Sequence, residues 1–596
     1  MRKRSWERAR MKKQTRLKIE KRNSIEYALL AVLPAIAFYL MEFYDRNPFE
    51  QIRWQAQWFN IFLFEFITWM GFFLSKSARV ALRITWILAM IFGLTNHYVM
   101  KFRSTPFVPW DIFSIRTAAN VADNYDFTPN LSVVVITVLF LLGIVLMQFL
   151  HLRFQKKLYW RLIPFAILLI LFFVFVGRLQ DEKFQTRHRL YPYLFTPSVM
   201  TKYNGLAVTF AMDFAYVFVE KPKGYDKEEA KETLASYEKK EEPEKQEELP
   251  NVIVIMDEAF SDLSVLGNFS ISEDCMPFVH QLQKGAKNTI TGNLHVSVCG
   301  GNTANTEYEF LTGNSMAFLP SGSIPYQQYV KDKIPSLASH LSRLGYETYS
   351  IHPYNASGWE RDEVYPWMGF DEFYSLDDFS GVSYLRSYVS DESSFEKIKS
   401  VYENKKDNTP VFIFNVTMQN HGSYSQVYDN FTPDLFVEGS TNSSLSQYLS
   451  LIKRSDEAFE NLIEYFQNQE EKTVVVFFGD HQPADAVTDS IWYLNQIDSE
   501  NLTKEQQKAR YEVPYVIWAN YEIEEAIGED TSANFLASKV LRAAGIPLSA
   551  YQEYLYQLQE DYPVFSVMQQ DAVEEDALKE YQKLQYYLMF DWEEEE

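Results

Sequence analysis

Three separated segments carry side chains of the kinds that hold a divalent cation and activate a hydroxyl. Met256-Asp257-Glu258 closes one apolar run, Gly479-Asp480-His481 closes another, and Gly300-Gly301-Asn302-Thr303 lies between them in sequence. Carboxylates and an imidazole are ordinary ligands of divalent metals. A threonine hydroxyl is a poor nucleophile at its ordinary pKa, and metal coordination lowers that pKa. The glycines ahead of Thr303 permit a tight turn that aims its side chain into a cleft. An Asp-His pair after a strand is more often a hydrogen-bonded pair than a ligand set, so each segment alone has a bland reading. The shared position at strand ends is what joins them.

The elements that must bring these segments together are legible as apolar runs. Residues 251–256 (NVIVIM), 411–416 (VFIFNV) and 474–478 (VVVFF) read as strands buried on both faces. Further strands are expected at 289–294, 346–351 and 515–519, with helices at 334–344, stopped by Gly345, and at 445–467. Strands alternating with helices imply an α/β domain with helices over both sheet faces. Ligands of such sheets gather beyond the carboxyl ends of the strands. Residues 573–588 suit an amphipathic helix, and the acidic residues 591–596 read as a solvated tail.

Ahead of this domain lie five apolar stretches, at 27–43, 59–74, 81–100, 131–150 and 160–177. A helix needs about 20 apolar residues to cross the hydrocarbon core. Glu65 makes the second stretch the weakest, since a carboxylate in a span is costly unless it is paired. Residues 1–23 hold eleven Lys or Arg against two Glu. With the loops around Arg79 and Arg153 they form the basic side of an alternating pattern, which places the N-terminus inside and everything after Gly177 outside. The expected organisation is a cytoplasmic basic tail at 1–24 and a polytopic α-helical membrane domain of five helices at 25–177. An extracellular juxtamembrane linker at 178–249 follows, its 226–248 stretch a solvated spacer. The α/β domain takes 250–545 and a helical, acidic extension 546–596.

The formal net charge of −23 argues against a nucleic-acid partner. Cys275 and Cys299 are the two cysteines; one disulfide or two free thiols are both compatible with that count.

Taken together, the motifs resemble the lipoteichoic acid synthase-like phosphoglycerol transferases of the alkaline phosphatase/sulfatase superfamily. The resemblance extends over the five spans, the proline-rich loop at 101–130 and the region from about 250 to 520. NVIVIMDEAF is similar to the family's first strand and puts its metal glutamate at Glu258. GGNTANTEYEFLTGNS resembles the nucleophile segment and puts the catalytic threonine at Thr303, with departures at Asn305 and Thr306. FFGDHQP resembles the closing metal motif, giving Asp480 and His481. GWERDEVYPWMGFDEFY, SIHP and MQNHGSY carry over Trp359, Arg361, His352 and His421 as substrate-side residues.

The resemblance implies an extracellular sulfatase-like α/β domain on a multi-pass anchor in the cell membrane, with a role in lipoteichoic acid biosynthesis at the cell wall. It implies a metal shell of Glu258, Thr303, Asp480 and His481. The cation would be Mn²⁺, although the ligand chemistry alone equally admits Mg²⁺ or Zn²⁺. It also implies phosphatidylglycerol as donor, a glycan, glycolipid or glycerol-phosphate polymer as acceptor, and a covalent threonine intermediate. Alternatives are a phosphoethanolamine transferase, a phosphodiesterase, or an inactive membrane-tethered structural or regulatory protein. Sulfatase chemistry is disfavoured, because Cys299-Gly-Gly-Asn-Thr is not the C/S-x-P-x-R setting of a formylglycine.

Overall fold

The computed structural model describes residues 2–103, 106–112, 127–191, 197–214, 219–238, 248–320, 323–499, 501–573 and 575–594. It divides into two compact units, the first comprising Met1–Lys101, Thr105–Pro109 and Phe127–Val217, and the second the remainder. Most of the loop expected at 101–130 lies outside the described residues.

Five described helical segments of the first unit are long and apolar enough to cross a membrane: Glu20–Glu42, Trp54–Ser75, Ala78–Phe102, Leu131–Phe149 and Tyr159–Leu179. The basic tail is not a separate element, for one helix runs Arg2–Glu42. Polar groups in the bundle satisfy one another, as a hydrocarbon surrounding demands. Trp69 Nε1 donates to Glu65 at 2.9 Å, which supplies the partner that a carboxylate in a span requires. Glu26 accepts the backbone N–H groups of His151 and Leu152. Glu42 and Asn60 accept the N–H groups of Leu206 and Val208 at the start of the helix Leu206–Asp213. The chain after Tyr159–Leu179 is therefore no free connection. Leu190, Met200, Leu206, Val208 and Met212 belong to the core of the helical unit, because two side chains that accept backbone N–H groups anchor the turn that brings them back.

The second unit is built on β1 (Asn251–Asp257), β2 (Thr289–His295), β3 (Glu347–Ile351), β4 (Glu372–Tyr374), the hairpin β5 (Tyr384–Leu385) and β6 (Tyr388–Val389), β7 (Val411–Val416), β8 (Thr473–Gly479), β9 (Glu512–Ala519), β10 (Ala526–Ile527) and β11 (Thr531–Ser532). The main sheet has the order β10-β2-β9-β8-β1-β7-β3-β4, with β11 also on β2. β8, β1, β7, β3 and β4 pair in parallel, while β9 runs antiparallel to both of its neighbours. The continuous apolar runs have a plain cause. Val252, Val254 and Met256 enter one core, while Ile253 and Ile255 enter the other, so period-2 alternation feeds two apolar faces.

Residues 225–237 and the C-terminal extension share a further small core, in which Ala230 packs with Tyr554, Leu555, Leu578, Tyr581 and Leu584. The expected spacer is thus docked where its helix Lys227–Ser236 lies. The acidic end is likewise held: Asp591 accepts from Tyr225 Oη at 2.6 Å, Glu593 pairs with Lys227 and Glu594 with Lys333. Gln585 grips both backbone groups of Ser315, at 2.7 and 3.0 Å, and Tyr581 Oη donates to the Gly313 carbonyl.

Candidate metal centre and nucleophile

In-register pairing of β1 with β8 sets Asp257 beside Gly479, so Glu258 and Asp480 leave the sheet together at its carboxyl edge. Gly479 is needed there, since a Cβ on it would lie 1.8 Å from the Phe260 carbonyl oxygen. Thr303 arrives from a different direction. Gly300, Gly301 and Asn302 all have positive φ (73°, 151° and 68°), which folds the chain sharply into the helix Thr303–Thr312. Thr303 is the first residue of that helix, at the positive end of its dipole.

The four expected ligands converge. Thr303 Oγ1 donates to Glu258 Oε2 at 3.3 Å, and His481 Nε2 lies 3.3 Å from Asp480 Oδ2 and 3.8 Å from Glu258 Oε1. All four are buried. Ligand atoms of Glu258, Asp480 and His481 fall within 4.8 Å of one another, a cluster that could hold a divalent cation. Two observations test the fit. Asp480 Oδ2 and His481 Nε2 are buried without a hydrogen-bond partner, a costly state unless something else binds them. His481 Nδ1 also donates to the Gln482 carbonyl at 2.9 Å, which leaves the Nε2 lone pair facing the carboxylates, as a metal-binding imidazole requires. A 2+ ion suits this donor set.

Electrostatics agree. Burial, and then the charge of Asp480, raises the Glu258 carboxyl well above the ordinary range. Burial also raises Asp480, against the lowering effect of His481. A raised carboxyl contributes stability that is fully present below its unfolded value, near 4, and lost as pH rises through the folded value. A cation that binds the ionised pair offsets that loss. The melting-temperature gain on adding Mn²⁺ should therefore be larger at pH 8 than at pH 5, with about 2.7 kcal/mol expected at a hundredfold excess over Kd. A gain indifferent to pH, or one retained by Asp480→Ala, would count against a carboxylate shell.

Beside the cluster sits a second group. Arg361 is buried and pairs with Glu307, one helical turn beyond Thr303, by Nε at 3.2 Å to each carboxylate oxygen and by a shorter contact from Nη2. Tyr365 Oη donates to the same carboxylate at 2.7 Å. The partner of Arg361 is thus an internal acid and not the adjacent Asp362 or Glu363. Arg361 Nη1 donates to His352 Nε2 at 3.2 Å, while His352 Nδ1 donates to the Val416 carbonyl. Burial, and then the Arg361 charge, hold His352 neutral, well below its ordinary pKa. Trp359 is half-buried against the first core, and it and Glu360 form a left-handed pair of residues immediately before Arg361. Two such residues in succession store strain of the kind found beside functional sites.

His421 follows β7. Its Nδ1 lies 3.0 Å from Tyr388 Oη and 2.9 Å from the Gly422 carbonyl. Desolvation lowers its pKa to about 4, so the imidazole is neutral at physiological pH. Sequence reasoning missed Glu307, Tyr365, Arg386 and Tyr388. Only Glu307 left a signal, its i+4 spacing from Thr303 on one helical face. The departures at Asn305 and Thr306 have local uses: Thr306 Oγ1 donates to the Asp480 carbonyl and Asn305 to that of Ser323. Both cysteines are free, Cys275 in the second core and Cys299 elsewhere, so no disulfide braces the site.

The sulfatase family model matches residues 250–546. A Rhizobium meliloti protein named provisionally for cyclic beta-1,2-glucan modification is 33% identical over 415 residues, which span 67% of this chain and 62% of that protein. The Staphylococcus aureus lipoteichoic acid synthase is 24% identical over 237 residues, spanning 39% of this chain and 35% of that enzyme. The chain thus spans less than two thirds of the length of these curated relatives. Among solved structures, the Streptococcus pyogenes phosphoglycerol transferase GacH in complex with sn-glycerol-1-phosphate aligns with TM-score 0.51 at 22% identity, covering 62% of this chain and 95% of that one. Fold, motif order and converging cluster lead to one statement: the domain at 250–546 has the sulfatase fold, and the chain resembles the lipoteichoic acid synthase-like phosphoglycerol transferases of the alkaline phosphatase/sulfatase superfamily.

Proposed function

We propose that this protein is a metal-dependent phosphoglycerol transferase of the cell membrane, with its catalytic domain outside. It would move glycerophosphate from phosphatidylglycerol to an extracellular glycan, glycolipid or glycerol-phosphate polymer. The observation that carries the reading is the Thr303 hydroxyl, held at the head of its helix and hydrogen-bonded to Glu258 within the buried Glu258–Asp480–His481 cluster.

A divalent cation, proposed as Mn²⁺ and held by Glu258, Asp480, His481 and Thr303, would lower the pKa of the hydroxyl and offset charge on the phosphoryl oxygens. Thr303 Oγ forms a bond to the donor phosphorus as the bond to diacylglycerol breaks, and the proton given up by Thr303 passes to the departing alkoxide. The acceptor oxygen then attacks the same phosphorus, the Thr303 ester breaks, and Thr303 recovers its proton. Arg361 and the helix dipole behind Thr303 favour negative charge at the phosphoryl group. Neutral His352 orients Arg361, and Trp359 borders the substrate side. His421, neutral at rest, suits removal of the proton from the incoming acceptor hydroxyl rather than donation from an imidazolium.

The names of the relatives support this reading. One concerns modification of a glucan, one lipoteichoic acid synthesis and one phosphoglycerol transfer with a glycerol phosphate bound. The test is brief incubation of the metal-loaded full-length protein with phosphatidylglycerol, then with phosphatidylethanolamine, followed by peptide mass spectrometry. A glycerophosphate adduct on Thr303 with release of diacylglycerol is expected. An adduct formed only from phosphatidylethanolamine, or free glycerophosphate with water as the sole acceptor, would replace the proposal with a phosphoethanolamine transferase or a phosphodiesterase.

A further inference from the structure

The hairpin β5–β6 contains a buried cation that none of the chemistry above uses. Arg386 is 4% exposed. Its guanidinium donates to three carbonyl oxygens of a single loop: Gln419 (2.8 Å), His421 (2.7 Å) and Ser423 (3.0 Å). The rings of Tyr388, Tyr424 and Tyr428 surround it at 5.3–5.9 Å. Among the described residues it hydrogen-bonds to no carboxylate, and its Nε is buried without a partner. Burying a charge in this way opposes folding, and an apolar side chain of similar volume would serve stability as well or better. What the cation does achieve is geometric. Three carbonyls at alternate positions of a five-residue stretch turn toward one planar fork, which fixes the curvature of the loop around His421.

The next residue but one acts on the side chain that the loop carries. Tyr388, 2% exposed, places its hydroxyl 3.0 Å from His421 Nδ1 and 3.3 Å from the Gly422 carbonyl. The Gly422 carbonyl accepts and cannot donate, so the shared proton at Nδ1 belongs to the imidazole. The Nε2 lone pair is then the ring's basic site. The backbone is thus set by Arg386, the tautomer by the Gly422 carbonyl and the ring's position by Tyr388, whose hydroxyl bridges Nδ1 and that carbonyl. Both side chains come from one two-stranded hairpin whose register Tyr384↔Val389 and Leu385↔Tyr388 holds them in fixed relation.

We propose that the Tyr384–Val389 hairpin is the positioning element for His421, Arg386 fixing the loop and Tyr388 fixing the ring so that Nε2 serves as the acceptor of a proton from the incoming hydroxyl. This rests on the reading of His421 as an acceptor-side group, and the experiment separates the two. Full-length protein in detergent, labelled with ring-¹⁵N histidine and assigned with H421Q, is compared with Y388F, R386M and R386K. Y388F should shift and broaden the His421 ring-nitrogen signals, because the ring loses the hydroxyl that pins its position. R386M should broaden or split the same signals. In both, resolution of the Thr303 adduct by acceptor should slow about 10- to 100-fold, so that the adduct accumulates, while its formation stays within about twofold. If R386M fails to fold, R386K and Y388F decide. Unchanged His421 signals in the variants would overturn the proposal. Changed signals with normal turnover, alongside normal turnover of H421Q, would uphold the positioning and overturn the role given to His421.

Discussion

Thr303→Ala should lower transfer by about 10⁴-fold or more and abolish the covalent adduct, while the protein stays folded. Thr303 is 6% exposed but contributes one small hydroxyl and one methyl to a polar cleft, so the stability change should stay within about 1 kcal/mol. Its hydroxyl donates to Glu258, so the Ala variant should also bind metal less tightly, and activity must be compared at saturating metal. Added metal should not restore transfer, because no other group stands at the head of that helix to attack phosphorus. Ser should retain a measurable fraction, since it keeps the hydroxyl but loses the methyl that restricts the rotamer. If Thr303 only stabilised its glycine-rich turn, the metal-saturated Ala variant would turn over near normally. That result, measured as diacylglycerol released from phosphatidylglycerol, would dismiss the covalent route.

The second large effect concerns stability. Arg361→Met should destabilise the protein by about 3–5 kcal/mol, because it leaves the buried Glu307 without the cation that pairs with it. Glu307→Gln should be costly for the mirror reason. The double variant should recover most of the loss, since neither charge remains to be solvated, and the coupling follows from denaturant midpoints in a double-mutant cycle. Activity should not recover with it. Folding restored without transfer would separate the guanidinium's work at the phosphoryl group from its place in the core. A single-variant cost below about 1 kcal/mol would mean that water reaches the pair and that it is no internal lock.

What was readable in the sequence follows from where the constraints are local. The runs NVIVIM, VFIFNV and VVVFF announce themselves because both faces of the sheet are covered, and each ends in the polar residues that must lie at its edge. The turn ahead of Thr303 is equally local, being written in Gly300, Gly301 and Asn302. Partnerships across long separations were not readable. Glu307 and Arg361 are 54 residues apart, and nothing local to either names the other. Arg386 had no signal, because a lone arginine in a polar stretch reads as solvated until three carbonyls are seen around it. The segment after Gly177 was misread as a connection for a related reason: the residues that hold it, Glu42 and Asn60, lie more than 140 positions upstream.

The grip of Gln585 on Ser315 spans 270 residues and has a consequence for biogenesis. During synthesis the helix Thr303–Thr312 emerges long before the amide that secures its far end. The strands β1 to β9 can pair first, since their partners lie nearer in the chain, whereas this closure must wait for residue 585 and carries the slow kinetics of a high-contact-order step. Until then the turn after Thr312 lacks its final clasp. The far end of the helix Thr303–Thr312 is thus secured only once the helix Asp576–Tyr586 has docked, which makes that docking a late condition for order around the site.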